Sequence, residues 1–186
     1  MRPTFATTIL DVGVSGVAGA ERGENFLEEW YPHPEKITAV GIDDLTAFQK
    51  RYPKVQVLQT DGQHLPFADK QFDIVFSNAV IEHVGYTRAQ EAFVRECLRV
   101  GKHVFLTTPA RGFPIESHTL IPFAHWMHPD ARNLIYWALG RKNEGMPGKL
   151  ALLTARAFRQ LFPKDSGVKI LRQRLFGWTS VLIAKL

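Results

Sequence analysis

Along this chain, short apolar runs bounded by turn residues alternate with amphipathic stretches. Runs of that length, rich in Val, Ile and Phe, predict strands buried in a parallel sheet. They fall at residues 7–12, 37–42, 55–59, 72–77 and 103–107. A short helix is expected over 45–51, and 63–70 reads as a loop. Residues 20–36 form a long polar connection, in which Pro32 and Pro34 are expected to exclude a regular helix. The clearest helix follows the fourth strand. Thr87 and Gln90 have the spacing of a capping box, and Ala89, Phe93, Val94, Cys97 and Leu98 make one apolar stripe. Gly101 is placed to close that helix as a C-terminal cap. Thr154 is expected to cap a further helix that Pro163 stops.

Residues 109–149 are irregular and aromatic, with a short helix expected near 131–139. Two closing strands, 168–175 and 179–185, are joined through a turn at Gly177. They are too close in sequence for a helical crossover and must pair as a hairpin. The alternation as a whole predicts an α/β fold. It is a doubly wound, Rossmann-like, mostly parallel seven-stranded sheet with an antiparallel C-terminal hairpin strand. The length suits one domain spanning 1–186, with 109–149 as an insertion or lid.

Bulk properties narrow the class. Cys97 is the sole cysteine, so no internal disulfide forms, and its place on the apolar stripe predicts a buried thiol. No apolar run reaches the roughly 18–20 residues that span a bilayer, and residues 1–10 do not look like a signal peptide, so a cytoplasmic protein is expected. Charge is unevenly placed. Residues 1–98 hold 9 basic and 14 acidic side chains, whereas 99–186 hold 14 basic and 4 acidic. The second half therefore suits an anionic partner, or presents a solvated basic face. No dense basic run or zinc-finger pattern points to nucleic acid.

Candidate chemistry lies where the strands end, because ligands of open α/β sheets bind at the carboxyl ends of strands. Asp11, Gly13, Ser15 and Gly16 end the first strand. A turn of small residues lets a ligand approach the backbone, and a carboxylate beside it suits an ammonium better than a pyrophosphate. A plain strand-to-helix turn would have the same composition. Asp43 and Asp44 end the second strand, where a carboxylate can accept from ribose hydroxyls or cap the next helix. Asp61 and Gly62 end the third, as an acceptor for an exocyclic amine or as a common D-G turn. Ser77, Asn78, Glu82 and His83 follow the fourth. His83 is the general-base candidate there, because histidine titrates near neutral pH. Glu82 and His83 equally fit a role in orienting the next helix. His118, His125 and Trp126 lie in SHTLIPFAHWMHP, which reads as an aromatic cover with polar handles and lacks a recognised zinc spacing.

Together these segments resemble class I S-adenosylmethionine-dependent methyltransferases of the type-11 subgroup. ILDVGVSG is similar to the family's first motif and AVGIDDL to the acidic end of its second strand. QTDGQHLPFADKQFDIVFSNAVIEHV is similar to its adenine-contacting aspartate, loop and fourth strand. The resemblance implies S-adenosylmethionine as donor and S-adenosylhomocysteine as product. Asp11 and Gly13 would then meet the methionine end, Asp43 the ribose and Asp61 the adenine amine, with Ser77 and Asn78 lining the transfer site. Ser15 and Val17 stand where the family usually has glycines. A metal-binding Glu-x-x-Glu-His pattern of some relatives is broken by Ala79, so no metal is expected. HTLIPFAHWMHP with the preceding FPIE also resembles methyltransferases found with bacterial surface-polysaccharide enzymes. That likeness suggests a saccharide or other anionic small-molecule acceptor, methylated on oxygen or nitrogen. Read as an acceptor lid, the aromatic cover makes His118, His125 and Trp126 acceptor-side residues; read as a docking patch, it leaves 109–149 as a contact for a protein or a membrane surface, and ordinary packing under a long loop fits it equally. Two rivals remain at this point. One is a non-catalytic partner subunit on the same fold. The other is an NAD-dependent oxidoreductase, against which the absence of G-x-G-x-x-G counts.

Overall fold

The computed structural model describes residues 3–16, 25–115, 121–138 and 150–186. Seven strands form one sheet: β1 (Ile9–Val12), β2 (Ile37–Gly41), β3 (Gln56–Gln59), β4 (Phe72–Asn78), β5 (Gly101–Pro109), β6 (Lys169–Leu175) and β7 (Trp178–Lys185). Their order is β3-β2-β1-β4-β5-β7-β6. β1 pairs in parallel with both β2 and β4, and β2 in parallel with β3. β6 and β7 pair antiparallel, as the short connection requires. Phe176 and Gly177 make that turn with φ of 50° and 82°. The sheet is the doubly wound, mostly parallel one expected, and β7 lies between β5 and β6. Strand order reverses between β1 and β4, which is where such sheets take ligands.

The chain divides into two compact units. One comprises Met1–Asn78, Ala92–Leu106 and Leu186, the other Ala79–Glu91 and Thr107–Lys185. In the first, all four residues of β1 are buried, and Ile37, Ala39, Val40, Phe48 and Val55 pack as core. Helix α2 (Thr46–Arg51) lies where expected. Helix α1 (Phe26–Trp30) falls inside the stretch from which the prolines were expected to exclude one. Pro32 and Pro34 lie beyond its end. Tyr31 is already extended, as a residue before proline prefers to be, so the prolines terminate the helix instead of forbidding it.

Helix α3 (Thr87–Val100) buries Phe93, Val94, Cys97 and Val100. Burial pushes the Cys97 thiol pKa up, so it is an inert core thiol. Two expected caps are replaced. Thr87 is the first helical residue, and the Tyr86 carbonyl before it accepts from the Ala89 and Gln90 amides. The buried Gln90 amide instead donates to the Ile81 and Ala151 carbonyls, at 3.2 and 3.1 Å. Gly101 opens β5, and a Cβ there would lie 2.6 Å from Val75 Cγ2, so close packing requires the glycine. Arg99 and Glu96 of α3 staple the loop between β3 and β4. Arg99 donates to the Leu65 and Phe67 carbonyls and to Asp69, and Glu96 accepts from the Leu65 amide at 2.9 Å.

In the second unit, helix α4 (Pro129–Ala138) occupies the region expected near 131–139. Helix α5 (Ala155–Gln160) is capped by Thr154, whose hydroxyl accepts from the Ala157 amide at 3.2 Å. Phe158, Phe162, Leu161, Val168 and Leu182 are buried there. Among the described residues no helix is long and apolar enough to cross a membrane.

One consequence concerns acid. Lys102 and the Thr8 amide and hydroxyl hold the Asp73 carboxyl down to about 2, from an ordinary 3.8. A depressed carboxyl contributes stability that is present above its unfolded pKa and is lost as pH falls through the folded one. Thermal melting between neutral pH and pH about 2 should therefore show an acid-side loss that Asp73→Asn flattens.

Candidate functional site

The first unit carries nine of the expected site residues, at the carboxyl ends of β1 to β4. Asp11 closes the buried part of β1, and Gly13 turns the chain with a φ of 100°, which a side chain would resist. The Gly13 and Val14 amides both donate to the Val40 carbonyl, so this turn leans on β2. Ser15 continues it, and its carbonyl accepts from the Asn25 amide at 3.5 Å. Val17 lies outside the described residues.

After β2 the two aspartates divide their work. Asp44 Oδ1 accepts from the Thr46 amide at 2.9 Å and hydroxyl at 2.6 Å, which draws its carboxyl below the ordinary range and starts α2. Asp43 is exposed and makes no hydrogen bond among the described residues, so its oxygens face solvent. At the end of β3, Asp61 Oδ1 accepts from the Gln63 amide at 2.8 Å, forming the D-G turn. Its Oδ2 stands 3.7 Å from His64 Nδ1. Gly62 is required by α3, since a Cβ there would meet the Phe93 ring at 2.7 Å. Ser77 is buried and donates its hydroxyl to the Val12 carbonyl at 2.7 Å, tying the ends of β1 and β4 together across the switch point. Asn78 is exposed.

Glu28 was not foreseen. It lies on α1, 5% exposed, and neither carboxylate oxygen has a hydrogen-bond partner. It faces Asp11, which is 6% exposed. Burial first, then the charge of Glu28, holds the Asp11 carboxyl well above its usual range, and burial raises Glu28 as well. Nothing local in FLEEW marks the second of its three interior positions as buried. The first unit thus presents an acidic edge: exposed carboxylates at the ends of β2 and β3, and a buried pair at β1.

In the second unit the chain turns sharply after β4. Ala79 adopts a φ of 55°, uncommon for a residue with a side chain, while its amide donates to the Thr107 carbonyl and hydroxyl. Glu82 is fully buried, accepting from the Thr108 hydroxyl at 2.9 Å through Oε2 and from the Ala151 amide through its carbonyl. That is a structural anchorage for the turn. The His83 side chain is exposed. His118 lies outside the described residues. His125 and Trp126 converge on one acceptor, the Arg111 carbonyl, at 3.0 and 2.8 Å. His125 Nδ1 is buried and has no partner. A cavity of about 380 Å³ lies here, lined by Tyr86, Gln90, Arg111, His125 and Tyr136 together with residues 150–153. The sequence signalled its aromatic and histidine content, but not Arg111 or Tyr136. Among the described residues no three His, Cys, Asp or Glu side chains converge as a metal site.

Residues 10–104 match the family described as Methyltransferase domain, and the chain belongs to that family. A Mycobacterium tuberculosis protein named as a probable S-adenosylmethionine-dependent methyltransferase is 39% identical over 67 residues, 35% of this chain. The chain spans about a quarter of that relative, the match covering 23% of it. Among solved structures, Haemonchus contortus phosphoethanolamine N-methyltransferase 2, in complex with S-adenosyl-L-methionine, is similar with a TM-score of 0.56. It is 15% identical, over 90% of this chain and 35% of that one. A Rhodobacter sphaeroides structure bearing the name of Zn-dependent alcohol dehydrogenases gives a TM-score of 0.62 at 13% identity, over 96% and 83%. At such identities the structural likenesses show the fold alone.

The tie across the switch point is testable. Ser77→Ala should cost about 1–2 kcal/mol in urea unfolding, because the Val12 carbonyl loses a buried donor.

Proposed function

We propose that this protein transfers a methyl group from S-adenosylmethionine to a hydroxyl of an anionic, saccharide-like small molecule. The observation that carries the first half is the acidic edge at the ends of β1, β2 and β3, in a chain of the methyltransferase family. The donor set fits this cofactor chemically. Buried carboxyls at Asp11 of β1 and Glu28 of α1, with no ion-pair partner among the described residues, suit an ammonium group and would repel a dinucleotide pyrophosphate. On this ground the oxidoreductase rival is set aside. The fold likeness to a structure named for alcohol dehydrogenases does not revive it.

In this reading Asp11, at the Gly13 turn, holds the methionine end. Asp43, exposed and without a hydrogen bond among the described residues, accepts from the ribose hydroxyls, and Asp61 Oδ2 accepts from the adenine amine. Bound S-adenosylmethionine supplies a methyl carbon already activated by its sulfonium. The remaining task of the chain is alignment and proton removal, and alignment alone contributes much of the acceleration of such reactions. An acceptor hydroxyl must lose its proton as its oxygen gains carbon, and His83 in the turn after β4 takes that proton.

The acceptor half rests on the second-unit cavity and on the basic balance of residues 99–186. Arg111 offers a guanidinium to a phosphate or carboxylate. His125, whose Nε2–H donates to the Arg111 carbonyl, lines the same cavity, with its Nδ1 buried and without a partner. Tyr86 and Tyr136 supply the flat apolar surface that sugar rings pack on. A role beside polysaccharide synthesis, in the cytoplasm, is consistent with this chemistry and is part of the proposal.

Thermal melting with S-adenosylmethionine, S-adenosylhomocysteine and NAD tests the cofactor. At 100 times its dissociation constant a ligand adds about 2.7 kcal/mol, a shift of very roughly 5–11 °C for a domain of this size. A shift with the sulfur nucleosides and none with NAD is expected. No shift with any of them would favour a non-catalytic subunit. Asp61→Ala should weaken S-adenosylhomocysteine binding by roughly tenfold or more in calorimetry with the fold intact, the loss of a hydrogen bond to a charged acceptor. His83→Ala should lower turnover by about 100-fold or more with unchanged cofactor affinity. Retained turnover would make His83 structural.

A further inference from the structure

We propose that the closing β-hairpin, with the aromatic cover beside it, docks this protein on an anionic membrane surface. The hairpin tip enters the headgroup layer, and the arginines of β6 meet lipid phosphates. This surface belongs to the second unit, and its binding is independent of the methyl donor.

The hairpin tip carries a ring where neither backbone nor solvent favours one. Phe176 turns the chain with a φ of 50° and is 90% exposed. Asparagine or glycine would make the same two-residue turn without strain. Phe123 repeats the pattern, exposed with a φ of 62°. Bulky residues at positive φ are outliers. Folding has no use for a solvated ring at the tip of a turn, so the ring serves something outside the fold.

These rings belong to one patch. Leu175 stands opposite Trp178 across the hairpin, so the two share a face. The Trp178 ring lies 6.0 Å from that of Trp126, and the Trp126 ring 5.3 Å from that of Phe123. All four side chains are exposed. Trp126 is fixed by its indole N–H on the Arg111 carbonyl at 2.8 Å, so the cover is preorganised and docking has little left to order. Contiguous exposed apolar surface of this kind marks an interaction site.

Charge identifies the partner. Residues 150–186 hold seven basic side chains and one acid, Asp165. Arg156, Arg159 and Arg172 line a groove of about 330 Å³ between α5 and β6, with no acid in its lining. Arg159 is held by the Phe162, Pro163 and Lys164 carbonyls. Arg156, Arg172 and Arg174 have no ion-pair partner among the described residues. A guanidinium pairs with phosphate through two parallel hydrogen bonds. Aromatic rings beside such a basic face match the boundary between headgroups and acyl chains. Leucine and phenylalanine at the tip favour hydrocarbon over the stacked bases of a nucleic acid. A second copy is disfavoured by the strand itself. β6 is the sheet edge, and pairing it with another β6 would bring Lys169, Arg172 and Arg174 of both copies onto one short seam.

Sedimentation of the full chain with vesicles tests this. Phosphatidylcholine with phosphatidylglycerol, about 2:1, supplies the anionic surface, and phosphatidylcholine alone the neutral one. The wild-type protein is expected on the anionic vesicles, far less on the neutral ones, and to dissociate as salt is raised. Phe176→Asn suits the turn, so its melting temperature should hold or rise, while its partitioning falls by roughly tenfold. Arg172→Gln combined with Arg174→Gln should lower partitioning to the anionic vesicles by about tenfold or more. No binding to anionic vesicles, or binding that Phe176→Asn leaves unchanged, overturns the proposal. Tighter binding to a single-stranded oligonucleotide than to the vesicles assigns the groove to nucleic acid and overturns it too. A dimer that Phe176→Asn dissociates, without vesicle binding, does the same in favour of a second copy.

Discussion

The site depends on β1 and β4 lying side by side, in parallel, where the strand order reverses. At that point neighbouring connections leave in opposite directions, and the strand ends are left accessible. The Ser77 hydroxyl on the Val12 carbonyl holds the two strand ends in step. The Gly13 turn, leaning on the Val40 carbonyl, then positions Asp11. Without that register the acidic groups of β1, β2 and β3 would not share an edge.

Positioning the edge is a matter of supports placed behind it. The loop carrying Asp61 is fastened to α3 through Arg99 and Glu96, and Gly62 lets the Phe93 ring approach where any side chain would collide. Asp44 spends its carboxylate on starting α2, which leaves Asp43 exposed with its oxygens toward solvent. In the second unit Thr108 and Ala151 pin Glu82, and the Arg111 carbonyl orients both His125 and Trp126. The residues that would touch ligands are thus distinct from those that hold them.

Asp11 and Glu28 run against the rest of the structure. Several buried polar groups are paired, Gln90 with Ile81 and Ala151, Ser77 with Val12, and Thr108 with Glu82, whereas Asn25 Oδ1 and His125 Nδ1, like the Glu28 oxygens, are buried without a hydrogen-bond partner. Two raised carboxyls side by side oppose folding at neutral pH, because the unfolded chain would ionise both freely.

The strands, α3, the Thr154 cap and the closing hairpin were legible in the sequence, because each is set by periodicity or by a neighbour a few residues away. The aspartates at the strand ends were legible too, since a carboxylate following a buried run has few places to go. What stayed hidden depends on residues far apart in the chain. α1 was lost because Pro32 and Pro34 terminate a helix that ends before them, and a proline count does not distinguish stopping from forbidding. Gly101 looked like a cap, but Val75, 26 positions earlier, dictates it. Gln90 looked like half of a capping box until Ile81 and Ala151 claimed its amide. Glu28 carries no local mark at all, for its burial against Asp11 exists only once α1 and β1 are brought together. By itself the sequence determined which segments form strands and helices and which strand ends carry acids. Only the tertiary structure decided which polar groups share a dry environment, because burial and proximity are properties of packing between distant segments.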